Sequence, residues 1–178
     1  WNMARVRLEQ PIHNFFSFER ISNFISSFRL YPERTYYEKS QSSYSVSKFG
    51  EGYTDQIIDW QSENKEVFAD LIKIMKSLDL FHDIQAKRIE GGRFELLVKP
   101  KANSVFSSLN DVGFGISQFL PIVTADLQLG DGSTLFVAQP EIHLHPNIQA
   151  KFANYVTQQI YEKANNYVVE THSEYFLN

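Results

Sequence analysis

The chain has no cysteine among its 178 residues, and this absence excludes disulfide scaffolds, thiolate zinc sites and cysteine nucleophiles. No apolar run approaches the roughly 18 residues of a membrane-spanning helix. The first residues also lack the basic and apolar regions of a signal peptide. We therefore expect a cytoplasmic protein without membrane contact, and its 43% of hydrophobic and 15% of aromatic residues are typical of a chain that folds around a core.

Basic side chains are scarce in the last part of the chain, which carries the whole acidic excess behind the net charge of −4. Residues 1–100 hold 14 basic and 14 acidic side chains, whereas residues 101–178 hold three basic and seven acidic ones. Such an excess is typical of a solvated face, or of a carboxylate-bearing site that meets Mg²⁺ or a cationic partner. Neither part has the basic stripe of a protein that binds nucleic acid by itself, so any contact with DNA would come through the assembly.

The second half of the chain alternates between helical and strand patterns. Residues 116–129 and 147–163 have the apolar spacing of helices, and Pro121 has to lie in the first turns of the earlier one. Residues 134–138 and 167–169 are continuous apolar runs, as in strands that are buried on both faces. The alternation predicts an α/β fold in which crossover helices connect the strands of a parallel sheet.

The first half of the chain has a less regular pattern. Residues 64–80 repeat apolar side chains at three and four positions, which predicts an amphipathic helix, and Gly91-Gly92 predicts a hairpin turn before a strand at 94–98. Residues 11–31 are rich in Phe, Ile and Ser, and their spacing fits either a short buried helix or an irregular strand pair. Residues 32–47 contain a proline and a serine cluster, which predict a loop.

Polar residues follow both predicted strands of the second half. Gln-Pro-Glu at 139–141 comes after the first strand, and Glu-Thr-His at 170–172 comes after the second. Ligands of parallel sheets bind beyond the carboxyl ends of the strands, so we expect these residues to meet in one candidate site. Ser173, which is next along the chain, predicts the N-cap of a final helix.

The segment 137–146 allows three interpretations. A strand that delivers polar residues at its tip suits the positioning of Mg²⁺ and water in phosphoryl transfer. A strand end before a proline-bounded turn explains the same residues without any chemistry. Alternatively, His143 and His145 lie on one side of an extended segment as metal ligands. The residue that completes such a metal site would be Glu141, Glu170 or His172.

Glycines precede the helix predicted at 116–129. Gly113 and Gly115 would let the backbone approach a phosphate closely, and the amino end of a helix favours an anion. A flexible loop before a helix explains the same glycines. By itself this motif is weak, and it supports a phosphate site only together with the other motifs.

As a set, these motifs resemble the C-terminal part of the head domain of an ABC-type ATPase. The similarity is to the prokaryotic predicted-ATPase group, an AAA-type group close to the overcoming-lysogenisation-defect and chromosome-maintenance (SMC-like) ATPases. Residues 138–146 (Ala-Gln-Pro-Glu-Ile-His-Leu-His-Pro) resemble the Walker B strand and D-loop, and residues 112–118 resemble the ABC signature. Residues 171–173 resemble the switch-histidine loop, and residues 32–36 more loosely resemble the loop between the two lobes. The resemblance implies a P-loop NTPase fold.

The resemblance also implies a dimer with nucleotide between its subunits. His143 and His145 would belong to the D-loop at the dimer interface. The signature segment would contact the γ-phosphate of ATP that is bound by the partner subunit. The residues that make this contact would be Gly113, Gly115, Ser117 and Gln118.

The same resemblance assigns roles at the strand ends. Ala138 occupies the position of the acid that binds Mg²⁺ through water, and Gln139 occupies the position of the residue that orients or activates the attacking water. His172 would sense the γ-phosphate. The candidate catalytic residues are Gln139, His172 and Glu141, which lies nearby in the segment after the strand. A methyl group cannot hold a hydrated cation and an amide cannot act as a general base, so positions 138 and 139 argue against hydrolysis by this chain.

The sequence lacks a phosphate-binding loop, because none of its eight glycines is followed by lysine as in G-x-x-x-x-G-K-[ST]. We therefore interpret the chain as the later part of a longer ATPase whose N-terminal phosphate-loop lobe is missing here. Residues 1–110 would form the inter-lobe, helical and β-hairpin region, and residues 111–178 the signature, Walker B, D-loop and switch-histidine core. ATP and Mg²⁺ would be held through the missing lobe and the partner subunit.

The function implied by the resemblance is an ATP-binding and ATP-hydrolysing subunit that acts as a nucleotide-gated dimeric switch. It would form a homodimer or a higher oligomer and work with an effector nuclease or toxin in anti-phage defence, or in DNA maintenance. The alternative is a catalytically degenerate scaffold that assembles and holds an effector without turnover. Ala138 and Gln139 favour this alternative.

Overall fold

The computed structural model of the chain describes residues 21–39 and 45–176, which fold around one hydrophobic core. The strands are β1 (Ser22–Ile25), β2 (Tyr36–Tyr37), β3 (Asp83–Ile89), β4 (Arg93–Lys99), β5 (Ser107–Ser108), β6 (Thr134–Ala138) and β7 (Asn166–Glu170). The helices are α1 (Tyr53–Glu63), α2 (Lys65–Ser77), α3 (Phe114–Gln128) and α4 (Pro146–Lys163), and a 3₁₀ turn spans Glu174–Phe176. The apolar residues at 11–20 and the serine-rich stretch at 40–44 lie outside the described residues.

A parallel sheet has the strand order β1-β6-β7. β6 is the central strand, its Leu135 and Val137 are each 1% exposed, and α4 is the crossover that leads to β7. The predicted parallel sheet with a crossover helix is therefore confirmed. β1 comes from the segment whose spacing fitted a helix or a strand pair, and it pairs with β6 from Ser22–Thr134 to Ile25–Val137.

A second, antiparallel sheet has the order β2-β4-β3, and β5 also pairs with β4. Gly91 and Gly92 lie between β3 and β4 with φ of +77° and +67°, the left-handed conformation that a tight hairpin turn requires. Phe94, Leu96 and Val98 alternate along β4 and are almost completely buried. The predicted hairpin and strand are confirmed.

Helix α3 runs through the core, and its residues 117–126 are all buried. We expected Pro121 in the first turns of this helix, but it lies in the middle because the helix begins earlier, at Phe114. Proline has no N–H, so the carbonyl of Ser117 receives no helical hydrogen bond from it. Burial of the whole central stretch outweighs this loss, since such a helix derives most of its stability from packing.

The end of the described chain also differs from the sequence-based expectation. Ser173 precedes a 3₁₀ turn of three residues, Glu174–Phe176, and not an α-helix. The hydroxyl of Ser173 donates to the side chain of Gln149, and the ring of Phe176 packs against Phe152 at 5.4 Å between centroids. Side chains of α4 therefore hold the segment together with its own 3₁₀ hydrogen bond, from the N–H of Phe176 to the carbonyl of Ser173 at 3.3 Å.

The parallel sheet crosses the boundary that the motifs suggest at residue 110. β1 lies before this boundary and β6 after it, and buried residues of both parts belong to the same core. The division into regions 1–110 and 111–178 stays a prediction. In the part of the chain that the structure describes, no helix has the length and apolar character needed to cross a membrane.

Candidate functional site

The tips of β6 and β7 bring the two predicted polar clusters together. Ala138 pairs with Glu170 at the end of the parallel ladder. The backbone N–H of Gln139 then donates to the carbonyl of Glu170 at 2.7 Å, so the pairing continues one step beyond β6. The two clusters meet at the carboxyl edge of the sheet, as the sequence predicts.

Glu141 connects the segments that follow these two strands. Its Oε1 accepts a hydrogen bond of 2.7 Å from the backbone N–H of His172. Its Oε2 is buried and has no hydrogen-bond partner among the described residues. Glu141 therefore fixes the start of the His172 loop relative to β6 and keeps one carboxylate oxygen unused.

Arg29 is a buried cation at the same edge, and the sequence analysis missed it. It follows β1 and is 3% exposed. Its Nη1 donates to the carbonyls of Ser26 at 2.9 Å and Ala138 at 3.2 Å, and its Nη2 donates to the carbonyl of Gln139 at 3.2 Å. Burial lowers the pKa of Arg29 to about 10, and the negative charge of Glu141 opposes this shift.

The glycine motif packs directly on the segment that follows β6. A Cβ on Gly115 would lie 2.7 Å from the carbonyl oxygen of His143, so this position has no room for a side chain. The ring of Phe114 makes an edge contact with the ring of His143 at 4.7 Å between centroids, and Tyr31 packs on Phe114 at 4.8 Å. Gly113 is exposed, and a Cβ there would meet nothing within 4 Å.

Ser117 and Gln118 point into the protein. They are 2% and 4% exposed. The hydroxyl of Ser117 donates to the carbonyl of Phe114 at 2.9 Å, and Nε2 of Gln118 donates to the carbonyl of Leu30 at 3.2 Å. In this conformation, Gly113 is the exposed residue of the signature segment, and these two side chains are buried. Their contact with a nucleotide stays a prediction.

Three histidines lie at or near the edge and are exposed: His143, His145 and His172. Nδ1 of His145 accepts a hydrogen bond from the backbone N–H of Asn147 and thereby caps α4, while His143 has a left-handed φ of +65°. Within residues 21–39 and 45–176, no group of three His, Asp or Glu side chains is arranged to hold a metal ion. The interpretation of the histidines as zinc ligands therefore has no support in the geometry.

The same edge offers no site for Mg²⁺. Position 138, where the resemblance places the acid, carries a methyl group that is 7% exposed. One oxygen of Glu141 is engaged by the backbone of His172, and no further described carboxylate joins the other oxygen in a metal-binding group. The described residues therefore do not fit this cation.

The chain is similar to solved structures of SMC proteins. One is an SMC ATPase known for ATP-driven dimerization and DNA-stimulated activation: the identity is 14%, the TM-score is 0.50, and the match covers 64% of this chain and 71% of that one. Another is an Smc head domain from Pyrococcus furiosus bound to the C-terminal domain of ScpA, with 12% identity, a TM-score of 0.49, and coverage of 72% of this chain and 33% of that one.

The parallel sheet, its crossover helix and the similarity to the first of these structures define an α/β fold of the P-loop NTPase type, as in SMC ATPases. The sequence also matches the AAA ATPase domain family over residues 18–177. The chain therefore belongs to this family, and a nucleotide is the ligand that the family implies. A comparison with curated proteins finds no match.

Proposed function

We propose that the chain is the signature-bearing and Walker B-bearing part of an ATP-gated switch that dimerises with nucleotide between its subunits. The observation that carries this proposal is the junction at the sheet edge. The Gln139–Glu170 and Glu141–His172 hydrogen bonds join the two strand tips, and Gly115 packs the start of α3 against the segment that follows β6. One unit would thus present all these motifs to ATP, and an SMC ATPase of similar fold is known for ATP-driven dimerization.

The start of α3 would bind the nucleotide through its backbone. Gly113 is the N-cap of α3, is exposed and has no side chain. Helix amides and the helix dipole favour a phosphate at this end. His143, which is exposed beside Phe114, would lie at the partner subunit. The residues would act by orienting phosphate groups and water, which is the main protein contribution to phosphoryl transfer.

Binding without turnover is the second candidate function. Ala138 and Gln139 support it, because a methyl group cannot hold a hydrated Mg²⁺ ion and an amide cannot remove a proton from water. A Mg²⁺ ion that accompanies ATP would be held by groups other than the described residues. A scaffold of this kind would assemble and hold its effector without ATP turnover.

The biological setting is also part of the proposal. We infer a homodimer or higher oligomer that controls an effector, either a nuclease or a toxin, in anti-phage defence or in DNA maintenance. The resemblance to the predicted-ATPase group supports this, and the DNA-stimulated SMC ATPase of similar fold supports a contact with DNA in the assembly. A cytoplasmic location stays a prediction.

A pair of glycine substitutions at the two ends of α3 tests the switch. In the complete protein, Gly113→Asp puts a negative charge where the phosphate would bind, and Gly130→Asp puts the same charge just beyond the other end of the helix. A Cβ meets nothing within 4 Å at either position. Aspartate is a good N-cap, so the first variant should stay folded. We expect Gly113→Asp to weaken ATP-dependent dimerization in sedimentation experiments by about tenfold or more, because like charges repel.

The control variant Gly130→Asp should dimerise like the unmodified protein. Equal dimerization of both variants would contradict the placement of the phosphate at α3. A protein that has the same oligomeric state with and without ATP would contradict the switch and leave the scaffold as the better description.

A further inference from the structure

β1 stops pairing with β6 one residue before β6 ends. The parallel pairing of β1 with β6 ends at Ile25–Val137. The next residue, Ser26, turns away and donates its N–H to the carbonyl of Lys48 at 2.8 Å. The carbonyls of Ala138 and Gln139 therefore receive no backbone N–H from β1.

The side chain of Arg29 supplies donors to both carbonyls, and the carbonyl of Gln139 also accepts from the backbone N–H of Ile142 at 3.4 Å. Its two terminal nitrogens reach the carbonyls of Ala138 and Gln139, and one of them also reaches Ser26 at the end of β1. A guanidinium group is a planar fork whose N–H groups keep fixed directions, so one side chain can hold two adjacent carbonyls. Arg29 thus takes the place of β1 at the carbonyl of Ala138 and adds a contact to the carbonyl of Gln139.

Gln139 has a backbone conformation that needs such support. Its φ of +47° lies in the left-handed region, which is unfavourable for a residue with a side chain. On the β7 side its N–H is bound to Glu170, and on the other side its carbonyl is bound to Arg29. Burying a guanidinium that is 3% exposed has a cost, and its hydrogen bonds to three carbonyls offset part of it, since its Nε is buried without a partner among the described residues.

We propose that Arg29 is a positioning residue that fixes the left-handed conformation of Gln139 and thereby the direction in which the Gln139 side chain leaves the tip of β6. Only the role of Gln139 toward the attacking water rests on the proposed function. The stabilisation of the Gln139 backbone by Arg29 is proposed for the protein without nucleotide. A lysine cannot replace Arg29, since one ammonium group cannot span both carbonyls with the geometry of a fork.

Amide hydrogen exchange in the absence of nucleotide tests directly whether Arg29 stabilises the backbone at Gln139. The reporter is the N–H of Gln139, which is hydrogen-bonded to Glu170. We expect Arg29→Met, which keeps an unbranched apolar stem of similar length, to accelerate its exchange by about tenfold or more, because hydrogen bonds from a charged donor are lost. Arg29→Lys should give a smaller acceleration. Arg88→Met is the control: Arg88 is an exposed arginine paired with Glu38, and its loss should change this exchange less than about twofold.

Exchange at Gln139 that is unchanged in Arg29→Met would overturn the proposal. If Arg29→Met does not fold, Arg29→Lys decides by the same measure: faster exchange at Gln139 supports the hold, and unchanged exchange overturns it. Because these measurements need no ATP, failure of the nucleotide switch does not affect them.

A double-mutant cycle separates positioning of Gln139 from a general packing role of Arg29. Glycine adopts a positive φ without steric cost, so Gln139→Gly removes the need for support. We expect Arg29→Lys to shift the midpoint of urea unfolding less in the Gln139→Gly background than in the unmodified protein. Equal shifts in the two backgrounds would show that Arg29 does not act through Gln139, and would overturn the proposal.

Discussion

At the scale of single residues, the site depends on two charged side chains that bind backbone groups. Arg29 holds carbonyls at the tip of β6, and Glu141 holds the N–H of His172 after β7. Charged groups that contact main-chain atoms fix loops more strongly than neutral ones, because charge-assisted hydrogen bonds are shorter and stronger. Neither contact can be derived from residue type alone, since both partners are backbone atoms from distant parts of the chain.

The contact of Glu141 can be tested by removing the carboxylate in two ways. Glu141→Gln keeps an oxygen that can accept from the N–H of His172, whereas Glu141→Ala keeps none. We expect Glu141→Ala to lower the free energy of unfolding by about 1.5–3 kcal/mol, the range for hydrogen bonds to charged groups, and Glu141→Gln to lower it less. Urea unfolding measures both changes, and equal losses in the two variants would contradict the assigned hydrogen bond.

At the scale of secondary-structure elements, the start of α3 and the segment after β6 are in contact through Gly115. A methyl group at this position would lie 2.7 Å from a backbone carbonyl, which cannot move as a flexible side chain can. We expect Gly115→Ala to destabilise the protein by about 1–3 kcal/mol, the usual range for overpacking. Gly130→Ala is the matched control, because a Cβ at that position meets no atom within 4 Å. Thermal unfolding compares the two variants, and similar melting temperatures would argue against the tight contact.

The sequence was most informative for elements whose pattern is set locally. The apolar run at 134–138 and the spacing at 147–163 predict β6 and α4, because burial imposes the period of each element on its side chains. β1 was ambiguous, since only four residues form it and its second face is largely exposed. Pro121 misled the placement of α3, because the rule against proline in helices neglects the gain from burying the surrounding residues.

The candidate site divides in the same way. Polar residues after two predicted parallel strands meet at one edge, which follows from strand direction. Arg29 could not be predicted, because its role arises from the point at which β1 leaves β6, and its partner Ala138 is 109 positions away. A basic residue a few positions after a short apolar strand is the only signal that the sequence offers.

At the scale of the whole molecule, α3, α4 and β7 meet at a buried carboxylate. Asp126 is 1% exposed and accepts hydrogen bonds from the hydroxyls of Tyr155 and Tyr167. Burial raises the pKa of Asp126 above its ordinary value of 3.8, and the two tyrosines reduce this shift. Three elements therefore converge on one ionisable group in the core.

This convergence predicts how stability depends on pH. The unfolded chain releases the proton of Asp126 near pH 3.8, whereas the folded protein releases it at higher pH. Between these values the folded state binds more protons, so the stability contributed by this group falls as the pH rises. We expect the free energy of unfolding of the unmodified protein, relative to Asp126→Asn, to decrease as the pH rises through this window and then to level off. Urea unfolding over a pH series measures the difference, and parallel curves for the two proteins would refute the raised pKa.

The three rings at the start of α3 have a mechanical consequence. Phe114 contacts His143 with its ring and is itself covered by Tyr31, which lies two residues after Arg29. In the proposed dimer, a subunit that docks on His143 would contact, through Phe114 and Tyr31, the short segment that carries Arg29. The surface proposed to meet a neighbour would thus be connected to the segment of Arg29, and docking would be coupled to the alignment of Gln139.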